Sequence, residues 1–262
     1  MSLNCGRRED KYVNFVLKIV NMKTQAQNIP PIDAVYKAAS VLNSVVKLTA
    51  LDINARLSQK YEATIALKRE DLQVVRSYKI RGAYNKISNL DTENLNRGVV
   101  CASAGNHAQG VAFSCNKLGV HATIFMPVPT PKQKLEQVRF FGGEYVEVML
   151  VGDTFDDAKY AALEFSEANG AVFVPPFDDP KIVEGQGTVG LEILHQTVNP
   201  IDYLFLPIGG GGLSAGVSTV FKQLSPDTKI IGIEPMGAPA MQKSVEKGEP
   251  VTLDKINKFV DG

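Results

Sequence analysis

Three short stretches carry residue types that could do chemistry. Lys79, in Ser77-Tyr78-Lys79-Ile80-Arg81-Gly82-Ala83, opens a helical pattern that places Ile80, Ala83 and Ile87 on neighbouring positions. An amine partly buried by such neighbours loses basicity and becomes a usable nucleophile and base, whereas a solvated lysine stays charged. Ser103-Ala104-Gly105-Asn106-His107 and Gly209-Gly210-Gly211-Gly212-Leu213 each join an apolar run to a helical one. Four adjacent glycines let successive N–H groups converge on one point, and the helix start that follows adds positive potential, which suits a phosphate. The run matches neither GxGxxG nor GxxxxGK[ST], so it does not indicate a dinucleotide or P-loop site.

In the first of these turns, backbone amides and the Ser103 hydroxyl suit a carboxylate, and the Asn106 amide can donate to a phenolic oxygen. Ser103 or Asn106 serving only as a helix cap is the plain alternative. Of the three histidines, His107 alone sits in a ligand-like turn, with a structural role as its other reading; His121 and His195 read as strand-start and helix-end residues. Glu184, in Glu184-Gly185-Gln186-Gly187-Thr188, faces either the same cleft or solvent.

The elements that must position these residues alternate. Apolar periodicity predicts helices over 33–42, 51–61 and 77–90, the last with Ser77 as its cap, and a short strand over 64–68. From residue 98 the pattern becomes regular, with strands at 98–102, 121–126, 145–150, 171–174, 203–208 and 229–233. Helices lie between them at 106–118, 131–141, 154–168, 182–196 and 214–224. The uncharged run 203–208 reads as a strand buried enough to carry no charge. Strand followed by helix with short connections is the mark of open parallel sheets flanked by helices, an α/β fold. In such sheets the turns at the carboxyl ends of strands gather where ligands bind. Two lobes are expected: residues 95–170 as the smaller, 29–94 with 171–262 as the larger, and 1–28 as an N-terminal extension in which Met22 is an alternative start.

Composition narrows the class. The chain has 262 residues, 44% hydrophobic and 21% charged, with Lys+Arg and Asp+Glu both 28. A net charge of zero argues against a nucleic-acid partner. Cys5, Cys101 and Cys115 show no metal-ligand spacing and fit reduced thiols in the cytoplasm. No apolar run has membrane-spanning length, and the apolar patch from Tyr12 to Val20 lacks the flanks of a signal peptide.

In order and spacing, the Lys79 stretch, Ser103 to His107 and the tetraglycine together resemble the pyridoxal-phosphate enzymes of the tryptophan-synthase-β type (fold type II). Lys68-Arg69-Glu70-Asp71-Leu72, Phe141-Gly142-Gly143-Glu144, Gly152-Asp153-Thr154-Phe155-Asp156 and Pro176-Phe177-Asp178-Asp179-Pro180 are similar to the biosynthetic threonine dehydratases of that group. The resemblance runs from about residue 30 to the end. It implies pyridoxal 5'-phosphate as cofactor, joined to Lys79 as a Schiff base, with Asn106 on its phenolic oxygen and Gly209, Gly210, Gly211, Gly212 and Leu213 around its phosphate. Ser103, Ala104, Gly105, Asn106 and His107 would hold the substrate carboxylate, and Lys79 would also remove the Cα proton. The reaction implied is dehydration and deamination of L-threonine, and more weakly L-serine, to a 2-oxo acid and ammonia, at the head of isoleucine biosynthesis. A homodimer or homotetramer is implied as well.

Racemases of the group carry a second serine where this chain has Ala104, which cannot transfer a proton; dehydration is therefore expected over racemisation. Serine dehydratase, serine/threonine racemase and a non-catalytic fragment are the competing readings. The group also places a hydroxyl or thiol opposite the pyridine nitrogen and, in many members, a regulatory domain. Both would lie beyond Phe259-Val260-Asp261-Gly262, so a truncated catalytic domain is expected. Near Glu234 some members bind a cation; Ala240 stands where an acidic ligand would be, and no metal is expected there.

Overall fold

The computed structural model describes residues 30–253 and 256–257. The N-terminal extension with Met22, and the Phe259 to Gly262 end, lie outside the described residues.

The main sheet is parallel throughout. Its strands β3 (Val99–Ala102), β4 (Ala122–Met126), β5 (Val146–Leu150) and β6 (Val172–Phe173) lie in the order β5-β4-β3-β6. Successive side chains of a strand point to opposite faces, and here both faces are covered. Val99 and Cys101 pack with Ala108, Val111, Ala112 and Cys115 of α5 (Asn106–Leu118) and Val138 of α6 (Lys132–Gly142). Val100 and Ala102 pack instead on Ala158 and Ala162 of α7 (Phe155–Asn169). That two-sided burial explains the uncharged run at β3.

A second parallel pair, β7 (Tyr203–Pro207) with β8 (Lys229–Ile233), packs through Leu204, Leu206 and Ile230 on α8 (Pro180–Gln196) and α9 (Gly212–Leu224). The expectation of a buried strand holds for one face only. Tyr203 and Phe205 on the opposite face are 49% and 52% exposed and stack on each other. Lack of charge in β7 reflects ring stacking as well as core packing.

Ahead of these come α1 (Ile32–Leu42), β1 (Leu51–Ile53), α2 (Ala55–Tyr61), β2 (Ala66–Lys68), α3 (Lys79–Ser88) and α4 (Thr92–Arg97); α10 (Ala240–Lys247) closes the series. The helix expected over 51–61 begins only at Ala55, because Asn54 caps it by accepting from the Leu57 amide and Leu51–Ile53 pairs antiparallel with β2. Likewise α3 begins at Lys79, two residues later than expected; the Ser77 hydroxyl accepts from the Lys79 amide at 3.4 Å, inside the first turn's reach.

What positions α3 is close contact with two helices. A Cβ on Gly110 of α5 would stand 3.1 Å from the Lys79 carbonyl, and one on Gly185 of α8 would stand 2.6 Å from the Arg81 carbonyl. Both glycines let backbone pack on backbone, so the lysine is held by main chain rather than by flexible side chains.

Candidate active site

Lys79 is the first residue of α3, and its side chain is partly buried. Its amine donates to the Pro176 carbonyl at 2.6 Å and lies 5.7 Å from the centre of the Tyr78 ring. Among the described residues no carboxylate pairs with it. Burial therefore acts unopposed and lowers its pKa to about 8. At neutral pH a useful fraction of such an amine is free base.

The lysine shares a narrow cleft with Tyr78, Phe177, Pro207 and the loop Gly209 to Leu213. Gly211 has φ +90°, the left-handed region that glycine enters without cost, and it ends the loop at the start of α9, where no side chain caps the helix. The amides of that first turn thus face the cleft side of a 13-residue helix with its positive end forward. A Cβ on Gly210 would fall 2.2 Å from the Phe177 ring, so only glycine fits the loop beneath that ring. An anion held by N–H groups, beside an aldehyde-reactive amine, fits these residues.

About 20 Å³ of the cleft is open to the centre of a water-sized molecule, room for about one water, and the Phe177 ring over the tetraglycine borders that space. A roomier recess of about 470 Å³ lies at the amino ends of the main sheet, between Arg97, His121, Glu144 and Tyr145. It holds none of the candidate residues, and ligands of parallel sheets sit at the carboxyl ends of the strands.

The turn after β3 is placed differently. Ser103, Ala104 and Gly105 are half-buried and Asn106 is exposed. The Ser103 hydroxyl accepts from the Gly105 amide at 3.2 Å, and Gly105 caps α5 without any side-chain bond. The start of α5 therefore keeps unspent amides, as the carboxylate reading requires. The turn does not line the cleft of Lys79; its link runs through His107. That ring is buried and its Nε2 lies 2.9 Å from the Val174 carbonyl. A carbonyl only accepts, so Nε2 carries the proton. Burial, with the nearby Lys79, outweighs that bond and lowers the histidine's pKa to about 4, keeping it neutral.

The other candidates lie elsewhere. Glu184 is buried and paired with Lys181 at 2.8 Å, neither on the surface nor in the cleft lining. Glu234 accepts from the Met241 and Gln242 amides at 2.8 and 2.7 Å, which caps α10. Among the described residues no three His, Cys, Asp or Glu groups gather into a metal site. Cys101 and Cys115 are buried free thiols, and burial raises the pKa of Cys101 to about 12.

A buried charge network anchors the lysine's helix. Arg81, fully buried, spends all five N–H donors: on both oxygens of Glu70 at 2.8 Å, on Glu192 at 2.7 and 2.9 Å, and on Thr188 at 3.1 Å. Lys68 spends its three on the Thr49 carbonyl, Glu192 and Gln196, at 2.8, 2.5 and 2.9 Å. Burial alone would raise the Glu70 carboxyl; the Arg81 guanidinium and the Thr49 hydroxyl outweigh it and hold the carboxyl below its ordinary range. The run 68–71 is thereby sorted, with Lys68 and Glu70 inward and Arg69 paired with Asp71 and Asp52 outside.

Sequence reasoning overlooked the functional bearing of Pro176, Phe177 and Gly110. The Pro-Pro pair was the available signal, since prolines enforce an extended, fixed segment after a strand.

Residues 46–262 match the family described as pyridoxal-phosphate dependent enzyme, and the chain belongs to that family. Among its relatives is the biosynthetic L-threonine dehydratase of Halalkalibacterium halodurans, 56% identical over 231 residues, a match covering 88% of this chain and 56% of that protein. The namesake from Bacillus subtilis is 54% identical, with 87% and 54% covered. The chain thus spans a little over half the length of the curated relatives it matches. Among solved structures, the processed form of threonine deaminase isoform 2 from Solanum lycopersicum superposes with a TM-score of 0.83 at 46% identity, covering 87% of this chain and 62% of that one. Maize serine racemase gives the same TM-score at 33% identity, with 87% and 68% covered.

Proposed function

We propose that this chain carries the catalytic core of a threonine ammonia-lyase, which dehydrates and deaminates L-threonine to 2-oxobutanoate and ammonia and acts more weakly on L-serine. The observation that carries the reading is the meeting of one desolvated, carboxylate-free lysine and an uncapped tetraglycine helix start in a single cleft. Similarity to named threonine dehydratases selects the reaction within the family.

When bound, pyridoxal phosphate supplies an electron sink that makes the Cα proton of an amino acid removable. Lys79 would hold the cofactor through its amine, and the amides of Gly209 to Leu213 would hold the phosphate. Asn106, exposed at the head of α5, would be the donor to the phenolic oxygen. Ser103 and the amides from Ala104 to His107 orient the substrate carboxylate. The Lys79 amine would take the proton from the substrate Cα; a pKa of about 8 for the free amine suits accepting and returning a proton at physiological pH. Ala104 offers no second acid or base, so the proton is handled from one face and racemisation is disfavoured. Threonine over serine rests on one methyl, which a pocket discriminates by about 10- to 200-fold.

The two-lobed division at about 95–170, a homodimer or homotetramer, a cytoplasmic location and a role at the start of isoleucine biosynthesis belong to the same proposal. Among the described residues no helix is long and apolar enough to cross a membrane.

The test is a spectrum of the cofactor-loaded chain with and without L-threonine, with the product identified. A Schiff-base band absent in Lys79→Ala, and 2-oxobutanoate release, are expected. Inversion at Cα alone, giving D-allo-threonine from L-threonine or D-serine from L-serine, would replace this reading by a racemase, and protein that never takes up cofactor would replace it by a non-catalytic fragment.

A further inference from the structure

The segment between β6 and α8 reaches His107, the Lys79 amine and the tetraglycine. At its near end the Val174 amide donates to the Val100 carbonyl of the main sheet at 2.8 Å, and the Val174 carbonyl accepts from His107 at 2.9 Å. At its far end Asp179 accepts from the Lys181 and Ile182 amides at 2.8 and 3.3 Å and pairs with Lys86 at 2.8 Å. Between the two anchors, the Pro176 carbonyl takes the Lys79 amine at 2.6 Å and the Phe177 ring rests on Gly210. Pro175 and Pro176 leave little torsional freedom, so a shift at either anchor is passed along rather than absorbed.

The two anchors differ. Asp179 caps its own helix and would do so in any helical protein. His107 spends a buried, neutral ring from the first turn of α5 on a carbonyl outside that helix, 67 residues away in sequence. Among the described residues it is the one side-chain bond between the carboxylate turn and the segment that covers the phosphate loop.

We propose that His107 is a positioning residue. Its Nε2–H fixes the Val174 carbonyl and, through it, the Pro175 to Asp179 strap that supplies both the acceptor for the Lys79 amine and the aromatic cover of the tetraglycine. The strap then couples the two ends of the site: it parks the amine beside the phosphate loop, and it must yield at Phe177, with His107 as its pivot, for the cofactor to enter. The inference rests on Lys79 being the reactive amine, but not on which amino acid is the substrate.

The titratable groups that face the Lys79 amine are Tyr78, whose hydroxyl burial keeps protonated, and His107, kept neutral; Asp179 on the strap is spent on Lys86. A midpoint measured for Lys79 therefore reports its burial against the strap. Trace acetylation of the full, cofactor-free chain across pH, read by peptide mass spectrometry, gives that midpoint with neither cofactor nor substrate. Pyridoxal-phosphate uptake, followed by absorbance, is the companion measurement. The variants are His107→Gln, which offers an amide N–H at the same ε position, His107→Asn, whose amide stops one atom short, and His107→Leu, which has no donor.

We expect the Gln variant to keep the wild-type midpoint and uptake rate. The Asn and Leu variants should move the midpoint upward by about one pH unit as the amine gains water and should lose the wild-type uptake rate. Should the Leu variant not fold, Gln against Asn still decides. Wild-type midpoints in both Asn and Gln variants, or equal shifts in both, overturn the proposal, because the donor would then be irrelevant. If the threonine reading fails while these shifts appear, only the assignment of the reaction falls.

Discussion

Two buried lysines stand near the same helix, and they have opposite fates. Lys68 is 7% exposed at its side chain, yet its three N–H groups are all taken and Glu192 supplies a countercharge at 2.5 Å. Lys79 gives one bond to a neutral carbonyl and has no carboxylate beside it. Burial pulls both amines down in pKa, but at Lys68 the Glu192 and Glu70 carboxylates pull back. The two amines are told apart by the countercharge at Lys68 and its absence at Lys79, the lysine proposed to react. A buried charge without a partner costs stability, and a site that keeps one spends stability on reactivity.

The largest effect that would break this contrast is on chemistry. Lys79→Ala should abolish the Schiff-base band and lower threonine turnover by about 10²- to 10⁴-fold through lost proton transfer alone, whereas Lys68→Met should retain the band. Steady-state kinetics and absorbance spectra compare the two directly.

The next effect is on folding. Removing one partner of the network, as in Glu192→Leu, leaves Arg81 and Lys68 buried with too few acceptors. It should destabilise the chain by about 3–5 kcal/mol in urea unfolding. Exchanging the surface pair at Arg69 and Asp71, which water and salt screen, should leave the urea midpoint unchanged within error.

A smaller and opposite change is expected at the reactive site. Lys79→Met should stabilise the cofactor-free chain by about 1–3 kcal/mol, because a desolvated amine is replaced by an apolar chain of similar length. Thermal melts of the apo proteins check the sign, and a loss of stability would mean that the Pro176 bond outweighs desolvation.

The pH dependence of that gain is the finest test. Folded Lys79 titrates near pH 8, against 10.5 for an ordinary lysine. Between those values the unfolded chain binds the extra proton, so stability from this group rises with pH, and its cost is fully present only below about pH 8. The advantage of Lys79→Met over wild type should therefore shrink from pH 7.5 towards pH 10 in matched denaturant titrations.

Much of this was legible in the residues. The spacing of apolar positions and the small-residue turns after β3 and β7 place α5 and α9 with errors of two residues or fewer, because local period and turn chemistry decide where such helices begin. The tetraglycine declared a backbone-lined site, since no turn needs four glycines for its own sake. The errors came where a distant partner decides. Leu51 to Ile53 follows a helical period but becomes a strand because β2 lies beside it. Ser77 looks like a cap, yet α3 starts at Lys79.

The order of amine, carboxylate turn and phosphate loop along the chain is a property of the residues alone, and so is the family's chemistry that this order implies. Which buried lysine reacts is not. Residues more than 90 positions away set Lys68 and Lys79 apart, a carboxylate from α8 at the one and the Pro176 carbonyl at the other. Local sequence sets backbone period and turn shape through short-range sterics and hydrogen bonds, whereas countercharge and desolvation depend on through-space distances that only the packed chain defines.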